Sequence, residues 1–516
     1  MATTPALKAR TIMVQGTASS VGKSILTAGL CRLLRRRGLR VAPFKAQNMA
    51  LNAAVTAAGG EIGRAQFVQA EAAGVVATVD MNPILLKPEG DARSQVVVLG
   101  RPIGSMSAVE YHAKKPELRR VVVDALDRLR AAHDVVVIEG AGSPAEINLK
   151  DRDLVNMFVA GAADAPVLLV GDIDRGGVFA AFVGTVELLP ADERARIAGF
   201  LVNKFRGDPA LLQPGLDMLT ARTGIPVVGV VPYLRNLRIA DEDSVSLDHR
   251  RRRAGDPATS LDIAVVRLPR ISNYDDVQPL EHEPGVSVRF SDTADDLGDA
   301  DLVILPGSKC TVADLDWLRA RGIADAVVER ARRGRPVLGI CGGYQMLGEV
   351  IDDPHGVESP VARVLGLGLL PVTTRFGRDK VTAQVEAAIA APSLLGTDPG
   401  AAVTGYVIHM GRVSPSPASR PGAAAAPFML RRLGVDTIET AEGALGYGGA
   451  VVGTALHGLF GNASVRAALL ATLRRRRGLA AAPAAETAAD DLDRVADTLA
   501  ASLDLPRLDA ILGLPP

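Results

Sequence analysis

Cysteine is scarce in this sequence: Cys31, Cys310 and Cys341 are the three in a chain of 516 residues. So few cannot form a disulfide framework, and they point to a reducing compartment. Aromatic residues make up only 3%, with a single tryptophan, so alanine, valine, leucine and glycine must fill the interior. Neither sign of charge is in excess, because Lys+Arg and Asp+Glu both total 58. That balance argues against a general nucleic-acid binder and against a protein held on anionic membranes. Long apolar runs are missing too. Segments such as 165–170 are far too short to cross a bilayer, and residues 1–10 are mixed and basic, with no apolar signal core. The expectation is a cytoplasmic protein with no membrane and no nucleic-acid partner.

What is present is globular: 48% hydrophobic and 22% charged residues, over a length that suggests two to four domains. In the first half, short apolar runs at 11–15, 39–44, 135–138, 167–170, 199–202 and 227–230 alternate with stretches of helical spacing such as 24–37 and 123–132. This rhythm predicts a parallel sheet covered by helices on both faces, whose strands are continuous apolar runs. A basic, polar break at 249–259 reads as a linker. The rhythm restarts at 262–268 and continues through 302–305 and 336–340. The expected fold class is therefore α/β in two domains: 1–248, then 260–470 after the linker. A stretch rich in Ala, Pro and Ser at 415–427 reads as a surface excursion, and 471–516 as a helical tail.

The first strand runs into Gly16-Thr17-Ala18-Ser19-Ser20-Val21-Gly22-Lys23-Ser24 and then a helix. Backbone N–H groups and the positive helix end suit a phosphate, Lys23 would reach the terminal phosphates, and the Ser24 hydroxyl would ligate Mg²⁺. The loop departs by one residue from the usual spacing, with Thr17 where glycine is expected. Its plainer reading is a glycine turn. The strand at 135–138 ends in Glu139, at the edge where such sheets bind ligands. Glu139 is thus a candidate Mg²⁺ ligand, against the alternative of a solvated strand-end acid. Asp172, Asp174 and Asn203-Lys204 end other strands on the same expected rim, with Asn203 as a nucleotide contact.

The sharpest signal lies at Pro336-Val337-Leu338-Gly339-Ile340-Cys341-Gly342-Gly343. An apolar strand delivers a cysteine to a tight turn where a helix begins, the layout of a nucleophile elbow. A buried small hydrophobe is the plainer reading of a lone cysteine. His457, at the end of a late strand, is the candidate base, and His409 competes with it. Backbone amides at Gly307, Ser308 and Gly342 would form an oxyanion hole.

These residues resemble the class I glutamine amidotransferases, in the branch of the cobyric and cobyrinic acid synthases. The carriers are Pro-Val-Leu-Gly-Ile-Cys341-Gly-Gly-Tyr-Gln and Gly-Thr-Ala-Leu-His457-Gly-Leu-Phe. Many class I relatives place a glutamate two residues after the histidine. Leu459 stands there, so the resemblance implies a Cys341–His457 dyad lacking its usual third member. The phosphate loop is similar to that of dethiobiotin synthetase, implying the same fold in the first half. Pro43-Phe44-Lys45-Ala46-Gln47-Asn48-Met49, Met81-Asn82-Pro83-Ile84 and Asn203-Lys204-Phe205-Arg206-Gly207-Asp208 narrow the resemblance to the cobyric acid side of that branch. It covers nearly the whole chain.

The resemblance implies ATP and Mg²⁺ as cofactors, L-glutamine as nitrogen donor, and a corrinoid substrate. That substrate would be adenosylcobyrinic acid a,c-diamide, amidated at its b, d, e and g carboxylates. Gln47, Asn48 and Asn52 are candidates to hold a side chain of the corrin, although a solvated loop reads nearly as well. The rivals are a cobyrinic acid a,c-diamide synthase, a partition-type P-loop ATPase and a non-catalytic corrin-binding scaffold. Thr17, in place of an early loop lysine, and the Cys341–His457 motifs speak against the last two. Association into a homo-oligomer is left open by the sequence.

Overall fold

The structure is a computed structural model, and it describes residues 8–90, 92–235, 237–239, 259–396, 398–417, 425–480 and 490–515. The chain divides into two compact units: Met1–Met49 with Ile62–Glu242 and Thr487–Pro516, and Ala50–Glu61 with Asp243–Glu486. Most of the proposed linker, 249–258, lies outside the described residues, as do 418–424 of the Ala/Pro/Ser stretch and 481–489 ahead of the terminal helices.

The first unit is built on a six-stranded, wholly parallel sheet. Its order is Val227–Pro232, Ile197–Phe205, Val167–Asp172, Arg10–Gly16, Val135–Glu139 and Val41–Phe44. The central strands are buried along almost their whole length, which is why they read as unbroken apolar runs. Helix Lys23–Arg36 follows the first strand directly. The helix expected at 123–132 is much longer, Ala108–Ala132, because Ser107 and Glu110 form a capping box that starts it early.

The expected tail at 471–516 is divided differently. Helix Ala463–Arg477 belongs to the second unit, whereas Asp491–Ser502 and Leu505–Leu512 belong to the first. The latter two bury Val495, Leu499, Leu503, Leu508 and Leu512 in one core with Leu26, Leu30 and Leu34. Around that core, Arg36 pairs with Asp497 at 2.6 Å and Arg37 with Asp509 at 2.7 Å. The apolar stripe needs a partner face, and this one is available.

The second unit contains a six-stranded sheet ordered Val286–Ser291, Leu261–Val266, Leu302–Leu305, Val337–Ile340, Val451–Thr454 and Ala444–Gly446, antiparallel only at the last pair. Beside it is a mostly antiparallel sheet dominated by the pair Val372–Ile389 and Ala402–Pro415. The residues Ala50–Glu61 belong to this unit although they fall within the range expected for the first. The Ala53 carbonyl accepts from Asn273 Nδ2 at 2.9 Å, and Glu61 pairs with Lys380 at 2.6 Å.

Candidate functional site

Four neighbouring strands of the second unit end at the same edge. Leu261–Val266 leads to the turn Asn273–Asp276, Leu302–Leu305 to Gly307-Ser308, Val337–Ile340 to Cys341, and Val451–Thr454 to His457. Parallel strands bring their C-terminal ends together, so residues nearly 200 positions apart in sequence become neighbours.

Cys341 sits at φ 51°, ψ −108°, a backbone conformation that a side chain rarely adopts. The strain is held by Cys341 N donating to Thr454 O (2.8 Å) and Gly343 N to Pro306 O (3.0 Å). Helix Gly342–Leu347 begins at once. A Cβ on Gly342 would stand 2.8 Å from Ser308 N, so only glycine lets that amide approach the elbow. Gly307 is close on the other side: its missing Cβ would lie 3.3 Å from His457 Cε1. The Ser308 hydroxyl donates to Asp314 Oδ2 at 2.6 Å. Ser308 therefore lies beside Gly342, the residue after Cys341, and Gly307 beside His457.

His457 is buried, hydrogen-bonded to Asp276 and near enough to Cys341 to feel its charge. Its Nδ1 lies 2.6 Å from Asp276 Oδ2, which leaves Nε2 for Cys341. Gly458 N donates to the other oxygen, Asp276 Oδ1, at 2.7 Å. Burial pulls the imidazole's proton affinity down, but the charges of Asp276 and Cys341 and their hydrogen bonds outweigh it, and the pKa is raised overall. His409 behaves in the opposite way. Burial pushes it down to about 4, and it is neutral. The structure thus sets His457, not His409, against Cys341.

Asp276 corrects the sequence expectation of an imidazole without an acid. Leu459 is indeed not acidic, but a carboxylate 181 residues earlier takes the place. The sequence signal was weak: Asp275-Asp276 follows the Ile-Ser-Asn-Tyr stretch, and nothing local links it to His457.

In the first unit, the loop after Arg10–Gly16 closes over Glu139. Ser24 Oγ donates to Glu139 Oε1 at 2.8 Å, and Lys23 Nζ donates to Ala18 O and Gly142 O at 3.0 Å each. Gly22 has φ 100°, and a Cβ there would be 2.3 Å from Asn203 Nδ2, which itself donates to Val21 O at 2.8 Å. Gly16, Gly22, Lys23, Ser24, Glu139 and Asn203 are thus one cluster, and Thr17 N is tied to Val170 O at 2.9 Å. Two further side chains converge on Glu139: buried Lys45 at 2.9 Å from Oε1, and Gln69 Nε2 at 2.5 Å from Oε2. Their roles were not read from the sequence: Lys45 entered only as part of the Pro43–Met49 stretch, and Gln69 lies in no quoted motif. Lys204 joins Asp172 (2.8 Å) to Ser20 O (2.8 Å) on the same rim.

The three candidate corrin contacts are divided between the two units. Gln47 accepts from the Tyr111 hydroxyl, and buried Asn48 donates to Gln66 Oε1 at 3.1 Å, both in the first unit. Asn52 is fully buried and belongs to the second unit. Asn48 and Asn52 are buried, not solvated.

Among the described residues no helix is long and apolar enough to cross a membrane. Residues 12–247 match the model of the CobQ/CobB/MinD/ParA nucleotide binding domain, and 262–465 that of the CobB/CobQ-like glutamine amidotransferase domain. A nucleotide cradle and a cysteine–histidine elbow on one chain define a glutamine-dependent, ATP-using amide ligase. Full-length relatives narrow this further. The chain is 63% identical to the cobyric acid synthase of Sorangium cellulosum, over 98% of this chain and 99% of that protein. It is 51% identical to the cobyric acid synthase of Dehalococcoides mccartyi strain CBDB1 (98% and 99%) and 53% to that of Desulforudis audaxviator (98% and 100%). The chain belongs to the cobyric acid synthase family.

Proposed function

We propose that the chain amidates the b, d, e and g carboxylates of adenosylcobyrinic acid a,c-diamide with ammonia taken from glutamine, at the expense of ATP. The Cys341–His457–Asp276 constellation on a chain that also closes a phosphate loop over Glu139 supports the glutamine-dependent amidation, and the full-length cobyric acid synthase relatives support the corrinoid substrate.

In the second unit, the Cys341 thiolate attacks the glutamine carboxamide carbon. Amides of Gly307, Ser308 and Gly342 face the oxyanion, and His457 gives its proton to the departing ammonia. Asp276 acts as a positioning residue: it fixes the imidazole's orientation and stabilises its protonated form. Water then releases glutamate from the thioester.

In the first unit, ATP phosphorylates a substrate carboxylate, since a carboxylate has no leaving group of its own. Ammonia adds to the acyl phosphate, and inorganic phosphate departs as the amide forms. Lys23 and the loop amides hold the phosphates in line. The Ser24 hydroxyl and the Glu139 carboxylate, 2.8 Å apart, make an oxygen donor set that fits Mg²⁺. When bound, that ion would neutralise phosphate charge. Asn203 supports the loop through Val21 O. The three free cysteines support a cytoplasmic setting.

Mass spectrometry of the corrinoid after incubation with ATP, Mg²⁺ and glutamine tests the substrate. Four successive amidations are expected, and no mass change on this diamide would refute the reading. Cys341→Ser should lose glutamine-supported amidation and keep the ammonia-supported reaction.

A further inference from the structure

The face of the His457 ring is covered by Tyr406. The two rings are stacked, with centroids 5.2 Å apart and planes 17° from parallel. Their backbones are also joined in both directions: Tyr406 N donates to His457 O at 3.1 Å, and His457 N to Tyr406 O at 2.9 Å. The phenol is fixed at its far end, where its hydroxyl accepts from Asn273 Nδ2 (2.7 Å) and donates to the Ala53 carbonyl (3.3 Å). Asn273 makes a second bond, to Ala53 O at 2.9 Å. Both Tyr406 and Asn273 are buried, so these bonds are not exchanged with water.

Asn273 stands three residues before Asp276, in the left-handed conformation (φ 52°) that opens the turn Tyr274–Val277. One short turn therefore controls the imidazole twice. Asp276 holds its Nδ1 edge, and Asn273 holds the ring that lies on its face. The third member of the latch, Ala53, lies in the Ala50–Glu61 stretch. That stretch is secured within the same unit by Lys380 on Glu61 (2.6 Å) and by Gln384 Nε2 on the Val55 carbonyl.

We propose that Tyr406 is a positioning residue for His457 in glutamine hydrolysis, and that Asn273 and the Ala53 carbonyl set its place. A thiol–imidazole proton transfer depends steeply on the distance and angle between the two groups. An imidazole bound only through Nδ1 can still swing about that bond, and a stacked ring anchored at its far end removes the swing. The latch makes the second unit's chemistry depend on residues 50–61, which the first half of the chain contributes. The inference rests on the reading of Cys341 and His457 as the glutamine-hydrolysing pair.

The test is steady-state glutamate release by the full chain, with ammonia-supported amidation as a control for folding. Tyr406→Phe keeps the stack and loses the hydroxyl with its bonds to Asn273 and Ala53, and kcat should fall about tenfold with KM unchanged. Tyr406→Leu loses the stack as well and should fall about a hundredfold, so that Phe partly rescues what Leu removes. Asn273→Gly tolerates the positive φ, and its effect should equal that of Tyr406→Phe. The double variant Tyr406→Phe with Asn273→Gly should lose less than the product of the two single losses, because both remove the Asn273–Tyr406 bond. Unchanged kcat, multiplicative losses in the double variant, or a rise in KM at constant kcat would each overturn the proposal. Absence of glutamate release by the unaltered chain would instead refute the underlying reading of the site.

Discussion

Asp276 Oδ2 lies 2.6 Å from His457 Nδ1, and both side chains are buried. The imidazole is thereby held by its Nδ1 edge, which donates to Asp276, and Nε2 is left for Cys341. Asp276→Asn keeps the shape and removes the charge. Glutamate release should fall by about a hundredfold or more, as expected when an imidazole loses its orienting carboxylate. Asp276 is one cause of the raised pKa of His457, so its loss lowers the imidazole's proton affinity and weakens the positive charge beside the Cys341 sulfur near neutral pH. Alkylation of Cys341 by iodoacetamide at pH 7 should therefore slow in the variant. An equal alkylation rate would show that the acid does not control the pair.

Glu139 is the point of convergence in the first unit, accepting from Ser24, Lys45 and Gln69. Glu139→Gln keeps the volume and removes the charge that Lys45 faces in a buried setting. Phosphate release from ATP during amidation should drop by at least about a hundredfold. Glutamate release, which uses the other unit's residues, should persist. Loss of both activities together would contradict this division of labour.

Lys380 and Glu61 form an ion pair with almost no exposed surface. Lys380→Met takes a cation from a buried carboxylate and should destabilise the second unit by about 3–5 kcal/mol. Adding Glu61→Leu should restore much of the loss, because two apolar groups replace two charges. Denaturant unfolding of the single and double variants decides this. A double variant as unstable as the single one would mean that the pair is not the operative contact.

Glu442 offers a pH test. Burial, the largest influence, raises it from 4.5 to about 7, although Thr454 Oγ1 and Ala455 N donate to it at 2.6 and 2.7 Å. A carboxyl raised in the folded state is bound to its proton more tightly there than in the unfolded chain. Its contribution is fully present below pH 4.5 and is lost as pH rises through about 7. Glu442→Gln does not titrate. Its stability relative to the native chain should therefore climb by about 3 kcal/mol between pH 4.5 and 8. A difference that stays flat over that interval would refute the shift.

Much of this was legible along the chain, because the relevant signals are local. The apolar run 337–340 ending in Cys341 and two glycines carries its own turn, and the strand Leu302–Leu305 was read at its observed bounds. The phosphate loop was equally plain, since one strand, one loop and one helix start hold Gly16, Gly22, Lys23 and Ser24. The long antiparallel pair Val372–Ile389 and Ala402–Pro415 was not read as such, since its mixed burial gives no clean alternation.

The sequence by itself determined the chemistry available: a thiol at an elbow, a phosphate cradle, and α/β architecture in each half. These depend on contacts within about twenty residues. Tertiary structure alone decided which histidine meets the thiol, that Asp276 is its acid, that Lys45 and Gln69 join Glu139, and where residues 50–61 and 490–515 pack. Those outcomes depend on which strand ends lie side by side and which apolar faces find partners, and no local spacing encodes either.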